Sequence, residues 1–394
     1  MAMAMTMAMA PLFFFFFLLH SVTTTTTSAA TCNLSDRAAL LSFRSALSDP
    51  SSRVFSTWTP DTDCCKSWSG VSCDPSTGRV ADLSLRAGED PSSSSSSVDP
   101  ALSSSSRSSP SPSPLLLSGP LSPSLCSLPR LTSLILADWK RLSGPIPACL
   151  PSSLPLLRHL DLVGNSLSGP LPSDIGSLKS LAVLNLADNL LSGPIPASLS
   201  SLPDLRHLDL SGNRLTGPLP ADLGSLRMLG RALLSRNLLS GPLPRSLAKL
   251  RRLADLDLSS NSLTGRIPSP YGRMPVLSTL NLDCNRLSGP IPRTLLSSRG
   301  LGMLNLSRNA LAGPIPDVFG ERSYFMVLDL SYNRLTGRVP ATIPRAKYVG
   351  HLDLSHNHLC GPIPAGPPFD RLEASSFADN DCLCGAPLPK PCRS

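Results

Sequence analysis

Aromatic side chains are scarce in this chain, at 5% of 394 residues, so burial has to come from aliphatic carbon, and leucine carries it. Charge is scarce too, at 16%, with 27 Asp and Glu against 35 Lys and Arg and a net charge of +8. The basic residues are scattered, with no run denser than Arg251-Arg252, which points to a mildly basic surface and away from a nucleic-acid footprint. After residue 30 no apolar stretch free of charge and proline approaches the roughly 18 residues of a membrane-spanning helix. No phosphate-binding glycine loop and no zinc-protease motif occurs.

Glycine and proline, by contrast, are plentiful and ordered. Gly119, Gly144, Gly169, Gly193, Gly217, Gly241, Gly265, Gly289, Gly313, Gly337 and Gly361 are each followed by Pro or Arg. The first two gaps are 25 residues and every later one is 24. A fixed period of that size is the mark of a solenoid, in which each unit buries its apolar edge against its neighbours and leaves one long face free to bind.

The N-terminus and the cysteines point to an exported protein. Pro11–Leu19 is an apolar core too short to span a bilayer, and Ser28-Ala29-Ala30 offers a cleavage site before Thr31, so residues 1–30 are expected to be a signal peptide. Eight of the 11 cysteines lie in two terminal clusters, where small caps that bury little area need staples. The expected pairs are Cys32–Cys64, Cys65–Cys73, Cys360–Cys382 and Cys384–Cys392. Cys126 and Cys149, 23 residues apart, are nearly one period from each other and can pair between adjacent coils. Cys284 is left over. The spacings do not match paired CxxC ligands, so no metal is expected.

Residues 31–86 read as an N-terminal cap, with a helix after Ser35 as its N-cap, Trp58 and Trp68 as cover, and Val80–Leu85 as the first strand. Residues 87–118 are rich in Ser and Pro and read as a disordered insertion. Repeats of about ten coils occupy 119–364, and a cysteine-containing cap occupies 365–394. From Leu131 the unit is LxxLxLxxNxLxGxIPxxLxxL. Its LxL alternates as a short strand, with Leu208 and Leu210 inward and His207 and Asp209 outward. The Asn that follows, from Asn165 to Asn357, turns the chain and can satisfy backbone groups of neighbouring coils. Gly and Pro then give an extended return path, and xxLxxL a short 3₁₀ or helical turn on the convex side. The expected fold class is an α/β solenoid, a horseshoe with a parallel concave sheet and disulfide-stapled caps. Trp139 stands in the Asn slot of the first coil, and Ala232 in a Leu slot; both read as local softening.

LxxLxLxxNxLxGxIP resembles the plant extracellular type of leucine-rich repeat, over roughly residues 31–394. Asp63-Cys-Cys-Lys-Ser-Trp-Ser-Gly-Val-Ser-Cys73 resembles the N-terminal cap of that family. Cap, ten coils and a paired-cysteine C-terminal cap are together similar to the polygalacturonase-inhibiting proteins. Leu131-Thr-Ser-Leu-Ile-Leu-Ala-Asp-Trp-Lys140, Leu280-Asn-Leu-Asp-Cys-Asn285 and Phe377-Ala-Asp-Asn-Asp-Cys-Leu-Cys-Gly385 resemble the plant family named for DNA-damage repair and toleration. The Ser-rich insertion departs from that family. Its name implies DNA repair, but an exported chain whose outward strand column is rich in Asp would repel phosphate.

The period enumerates the concave face. The acidic column through Asp209, Asp257 and Asp329 would dock a basic partner, or is simply solvated repeat consensus. Residues that break consensus are better candidates for specificity: Arg231, Leu233 and Arg236 in one coil, and Met303, Arg308, Met326, Val327 and Tyr332 further on. His207 joins them as an outward neighbour. His207-Leu-Asp-Leu-Ser211 lacks the pocket a triad requires, and His351, His356 and His358 read as solvated residues. Asn33 and Asn305 head glycosylation sequons, and a glycan on Asn305 would cover part of the face. The expectation is a secreted, monomeric, non-enzymatic protein without cofactor that recognises a protein ligand. Inhibition of a fungal pectin-degrading enzyme and a cell-surface signalling scaffold are the alternatives.

Overall fold

The computed structural model describes residues 31–49, 54–87 and 117–392. The expected leader and the stretch 88–116, which holds nearly all of the Ser/Pro-rich segment, lie outside them.

Each coil contributes a short strand because its LxL can bury only alternate side chains. Leu184, Leu208 and Leu304 are fully buried, while their neighbours on the strand stay accessible to solvent. These strands form a 12-stranded sheet, parallel from Val80–Arg86 to Tyr348–Asp353, with Val71–Cys73 added antiparallel at the edge. The register repeats without slip: His207 sits beside Val183 and Arg231, and Asp209 beside Asn185 and Leu233. Ala232 takes the buried slot of its strand and is fully covered.

A second 12-stranded sheet was not expected. It runs along the segment after each Asn, as in Arg214–Gly217 and Ser262–Gly265. Sequence reading gave these residues an extended return path; stacking identical extended segments places their backbones in pairing distance, so the path becomes a sheet. Gly217, at φ +76, ends its strand in a conformation that favours glycine, and the Pro that follows has no N–H to extend the ladder. Convex turns such as Leu223–Ser225 and Ala197–Ser201 are 3₁₀, as expected.

Between the sheets runs the asparagine ladder. Asn213 donates from Nδ2 to Leu186 O (2.9 Å), Leu210 O (3.1 Å) and Ser211 O (3.2 Å). Its Oδ1 accepts from the Leu191 N–H of the preceding coil at 3.0 Å. The pattern recurs to Asn357, and Asn380 extends it into the C-terminal cap, binding Leu354 O and the Leu359 N–H. Trp139 keeps one bond of the ladder in its coil. Buried at 2% exposure, it donates its indole N–H to Leu85 O at 3.0 Å, the bond an Asn would make to the coil before.

In the N-terminal cap the helix Leu34–Ser45 begins one residue before Ser35, and Asn33 is its N-cap, accepting from the Ser35 N–H at 3.0 Å. Asp36 is fully buried beneath Arg79, which binds it through Nε (2.8 Å) and Nη2 (2.7 Å), while the Val80 N–H adds a third bond. Trp58 and Trp68 stack at 4.9 Å, both buried. The disulfides join Cys32 to Cys64, Cys65 to Cys73, Cys126 to Cys149, Cys360 to Cys382 and Cys384 to Cys392, the pairs set out above. Cys284 is free and half-buried. Cys32, Asp63, Cys64 and Cys65 cluster, but their sulfurs are spent in disulfides, and Asp63 accepts from the Cys65 N–H.

Candidate functional site

Three rows of side chains define the concave face and its edge. The central row holds the carboxylates expected to dock a basic partner. Asp209 Oδ1 accepts from the Ser211 N–H at 3.0 Å and from its hydroxyl at 2.6 Å. Asp257 and Asp329 make the same bond to Ser259 N (2.9 Å) and Ser331 N (3.0 Å). These acids therefore turn the chain at the end of each strand, as Asx turns do. The consensus LDLS is in part a structural device, and the acidic strip is in part its by-product.

Asn305 belongs to this row. Its Oδ1 accepts from Ser307 N (3.0 Å) and Ser307 Oγ (2.8 Å), and Ser307 is only 5% exposed. Asn33 is held in the same way by Ser35. In both sequons the carboxamide oxygen is committed to the turn.

The second row precedes it along the strands. His207 lies beside Arg231, and Arg231 binds Asp255 through Nε at 3.1 Å. Burial pushes the His207 pKa down and Arg231 adds to that, against the opposing pull of Asp209 and Asp161. Leu233 stands half-buried between Asp209 and Asp257. Met303 pairs in register with Val327, and Val327 with His351.

The third row follows the strands, one residue before each Asn; departure from consensus had singled out its Arg236, Arg308 and Tyr332, but not the backbone conformation they share. Its residues adopt positive φ: Asp188 (51°), Arg236 (54°), Cys284 (53°), Arg308 (52°), Tyr332 (52°) and His356 (54°), with Gly212 at 63°. Arg236 reaches across Gly212 to bind Asp188 at 2.9 Å. A Cβ on Gly212 would lie 2.2 Å from Asp188 Oδ1, so only glycine leaves room for that pair. Further along, the Arg308 guanidinium sits 4.0 Å above the Tyr332 ring, Tyr332 stacks on His356 at 3.8 Å, and His356 Nε2 meets Asp379 at 2.9 Å. A cation, two rings and an anion thus form one continuous stack. Cys284 precedes it, its thiol pKa raised chiefly by burial and next by Asp283.

The structure thus separates the candidates. Arg231 and Arg236 are tied into ion pairs, Arg308 and Tyr332 into the stack, and Asp257 and Asp329 into turns. Met303 and Val327 remain free of polar partners, and the fold gathers three residues around them. Met326 is 60% exposed, with glycine in the same slot of both neighbouring coils, Gly302 and Gly350. Tyr324 and Tyr348, paired in register, stack at 5.2 Å and both stay exposed. The tyrosines lie one period apart in sequence and were overlooked; that spacing was the available signal.

The chain matches the leucine rich repeat N-terminal domain over residues 33–74, and leucine rich repeat models over 155–215, 252–274, 276–297 and 325–346. It is 55% identical over 136 residues to DNA damage-repair/toleration protein DRT100 of Arabidopsis thaliana, a stretch covering 34% of this chain and 32% of that protein. It is 32% identical over 132 residues to a polygalacturonase inhibitor of Vitis vinifera, covering 34% and 29%. The chain thus spans less than a third of each of these curated relatives. Among solved structures, a plant ice-binding protein superposes with a TM-score of 0.67 at 29% identity, covering 92% of this chain and 99% of that one. The ectodomain of the Arabidopsis thaliana receptor kinase GASSHO1/SCHENGEN3, in complex with CASPARIAN STRIP INTEGRITY FACTOR 2, superposes with a TM-score of 0.71 at 32% identity, covering 89% and 38%.

Proposed function

We propose, from the premise that the chain belongs to the plant leucine-rich-repeat proteins, that it is a secreted, non-catalytic protein that recognises another protein on its concave face. The observation that carries this is the apolar and aromatic patch of Met303, Met326, Val327, Tyr324 and Tyr348 on a strand face that is elsewhere mostly polar. Exposed apolar clusters on a soluble fold mark contact surfaces, and Met and Tyr are enriched at their centres. The stack from Arg308 to Asp379 holds the adjoining edge rigid before any partner arrives, which lowers the ordering cost of binding. A receptor ectodomain of similar fold, that of the Arabidopsis receptor kinase HAESA, is in complex with a peptide hormone ligand.

The test is a pull-down of extracellular plant proteins with the purified chain and with a Met303→Asp/Met326→Asp variant of equal thermal stability. The parent is expected to retain a partner that the variant loses by at least about tenfold, since two buried interface anchors are worth roughly 1–2 kcal/mol each. A partner held equally by both would remove this patch from the function.

A second reading, inhibition of a secreted polygalacturonase, is supported by the likeness to the inhibitors of Vitis vinifera and Pyrus communis. It predicts that the parent slows pectin hydrolysis by such an enzyme while the double variant does not.

A further inference from the structure

The asparagines of this molecule fall into two kinds. Those of the ladder are spent: buried Asn285 donates from Nδ2 to Leu258 O (2.9 Å), Leu282 O (3.2 Å) and Asp283 O (3.1 Å), and its Oδ1 accepts from the Leu263 N–H (2.9 Å). Asn305 is only half spent. Its Oδ1 closes the turn with Ser307, whereas its Nδ2 bonds to no described residue and is not enclosed. It stands in the central row between Asn281 and Asp329, on the open concave face. Asn185 and Asn281 occupy the same slot, but Ala187 and Asp283 follow them where Ser307 follows Asn305, so only Asn305 of this row heads a sequon. Asn33, the other sequon residue, shows the same division: Oδ1 caps the helix, and Nδ2 has no partner among the described residues.

We propose that Asn305 carries an N-linked glycan that screens the Met303 side of the apolar patch and leaves its tyrosine side open. Attachment forms a bond from Nδ2 to C1 of the first sugar, breaks the C1–O bond to a lipid-linked pyrophosphate donor, and releases one amide proton. The carbonyl survives, so both Ser307 bonds to Oδ1 are kept and the strand end needs no rearrangement. Ser307 is 5% exposed and its hydroxyl is committed, so the folded coil hides the sequon and the glycan has to be added before the coil closes. Outward side chains recur at every second residue, so Met303 lies about 6.7 Å from Asn305 along its strand, within reach of the first sugar rings. Tyr324 lies five residues before Asp329, the neighbour of Asn305, and so about 17 Å away. The consequence for binding rests on the patch being the contact surface proposed above: a partner enters over Tyr324, Met326 and Tyr348, not along the acidic row.

The experiment uses the full chain as secreted by plant cells. Peptide mass mapping after enzymatic release of N-glycans in heavy-oxygen water reads occupancy at Asn305 and Asn33, because release leaves a labelled Asp. Asn305 is expected to be occupied in most molecules. Footprinting with an aryl diazirine, a photoactivated apolar probe, then compares the parent with Asn305→Asp. That substitution abolishes the sequon yet keeps the acceptor oxygen that Asp329 and Asp353 use in the same slot. The variant is expected to lose the mass of one glycan and to label more strongly at Met303, with Met326, Tyr324 and Tyr348 labelled as in the parent. An unmodified Asn305 in the secreted parent, or equal Met303 labelling in the two chains, would overturn the proposal. Occupancy and footprint are both read without a partner, so they stand or fall separately from the pull-down that tests the patch.

Discussion

At the scale of single residues, the molecule spends its most regularly repeated geometry on polar groups held inside the solenoid. Asn213 satisfies carbonyls of its own and the preceding coil and receives the Leu191 N–H, all inside the solenoid. Replacing it with Ala leaves Leu191 N–H and Leu186 O buried without partners, a penalty of about 1–3 kcal/mol for each such group, so Asn213→Ala is expected to destabilise by several kcal/mol. Asn261 makes equivalent bonds but is only part-buried, and water can replace some of them. Asn261→Ala should therefore cost less. Urea denaturation of both variants, with equal m-values, measures the difference; equal losses would show that burial does not set the cost.

This residue-scale logic was legible in the sequence because Asn recurs at a fixed offset in a leucine frame. The helix cap was misplaced because Asn33 and Ser35 are both good caps and sit two residues apart; the Asn33 side chain reaches forward to accept the Ser35 N–H, which places the cap at Asn33. At Trp139 sequence reading missed one bond. Its substitution for Asn looks like a loss of polarity, yet one indole N–H is enough to reach Leu85 O.

At the scale of elements, what escaped sequence reading is what arises between coils. The second sheet and the positive-φ row consist of residues some 24 apart that only stacking makes neighbours. Arg236, Gly212 and Asp188 show the consequence. Arg236 was singled out as a contact residue from its departure from consensus, but its partner lies two coils back and depends on a glycine in the coil between. Gly212→Ala brings a Cβ within 2.2 Å of Asp188 Oδ1 and asks an L-residue to hold φ +63, a strain of about 1–2 kcal/mol. The exposed ion pair itself contributes at most about 1 kcal/mol. In an Asp188→Ala background the clash is gone and only the backbone strain remains, so Gly212→Ala should cost less there than in the parent. A double-mutant cycle on thermal unfolding measures that coupling; additivity within error would mean the carboxylate simply swings away.

At the scale of the whole molecule, covalent and non-covalent reinforcement are divided along the solenoid. The disulfides lie between Cys32 and Cys73, at Cys126–Cys149 and between Cys360 and Cys392, while the coils between Cys149 and Cys360 have none. Those middle coils bury leucine on both sides and share the asparagine ladder with two neighbours; a terminal coil has one. In such a nearly one-dimensional array, stability is a sum of intrinsic and nearest-neighbour terms, and opening starts where a neighbour is missing. The disulfides sit at those ends, which small cap surfaces could not hold alone. A reductant should therefore leave backbone protection in the central strands, such as Arg231–Leu233 and Asp255–Asp257, near its oxidised level. It should lower protection first in the helix Leu34–Ser45 and in the C-terminal strand Cys382–Cys384. Hydrogen exchange followed with and without reductant reads this directly, and a uniform loss along the chain would mean that the solenoid unfolds as one unit and that its caps do not act locally.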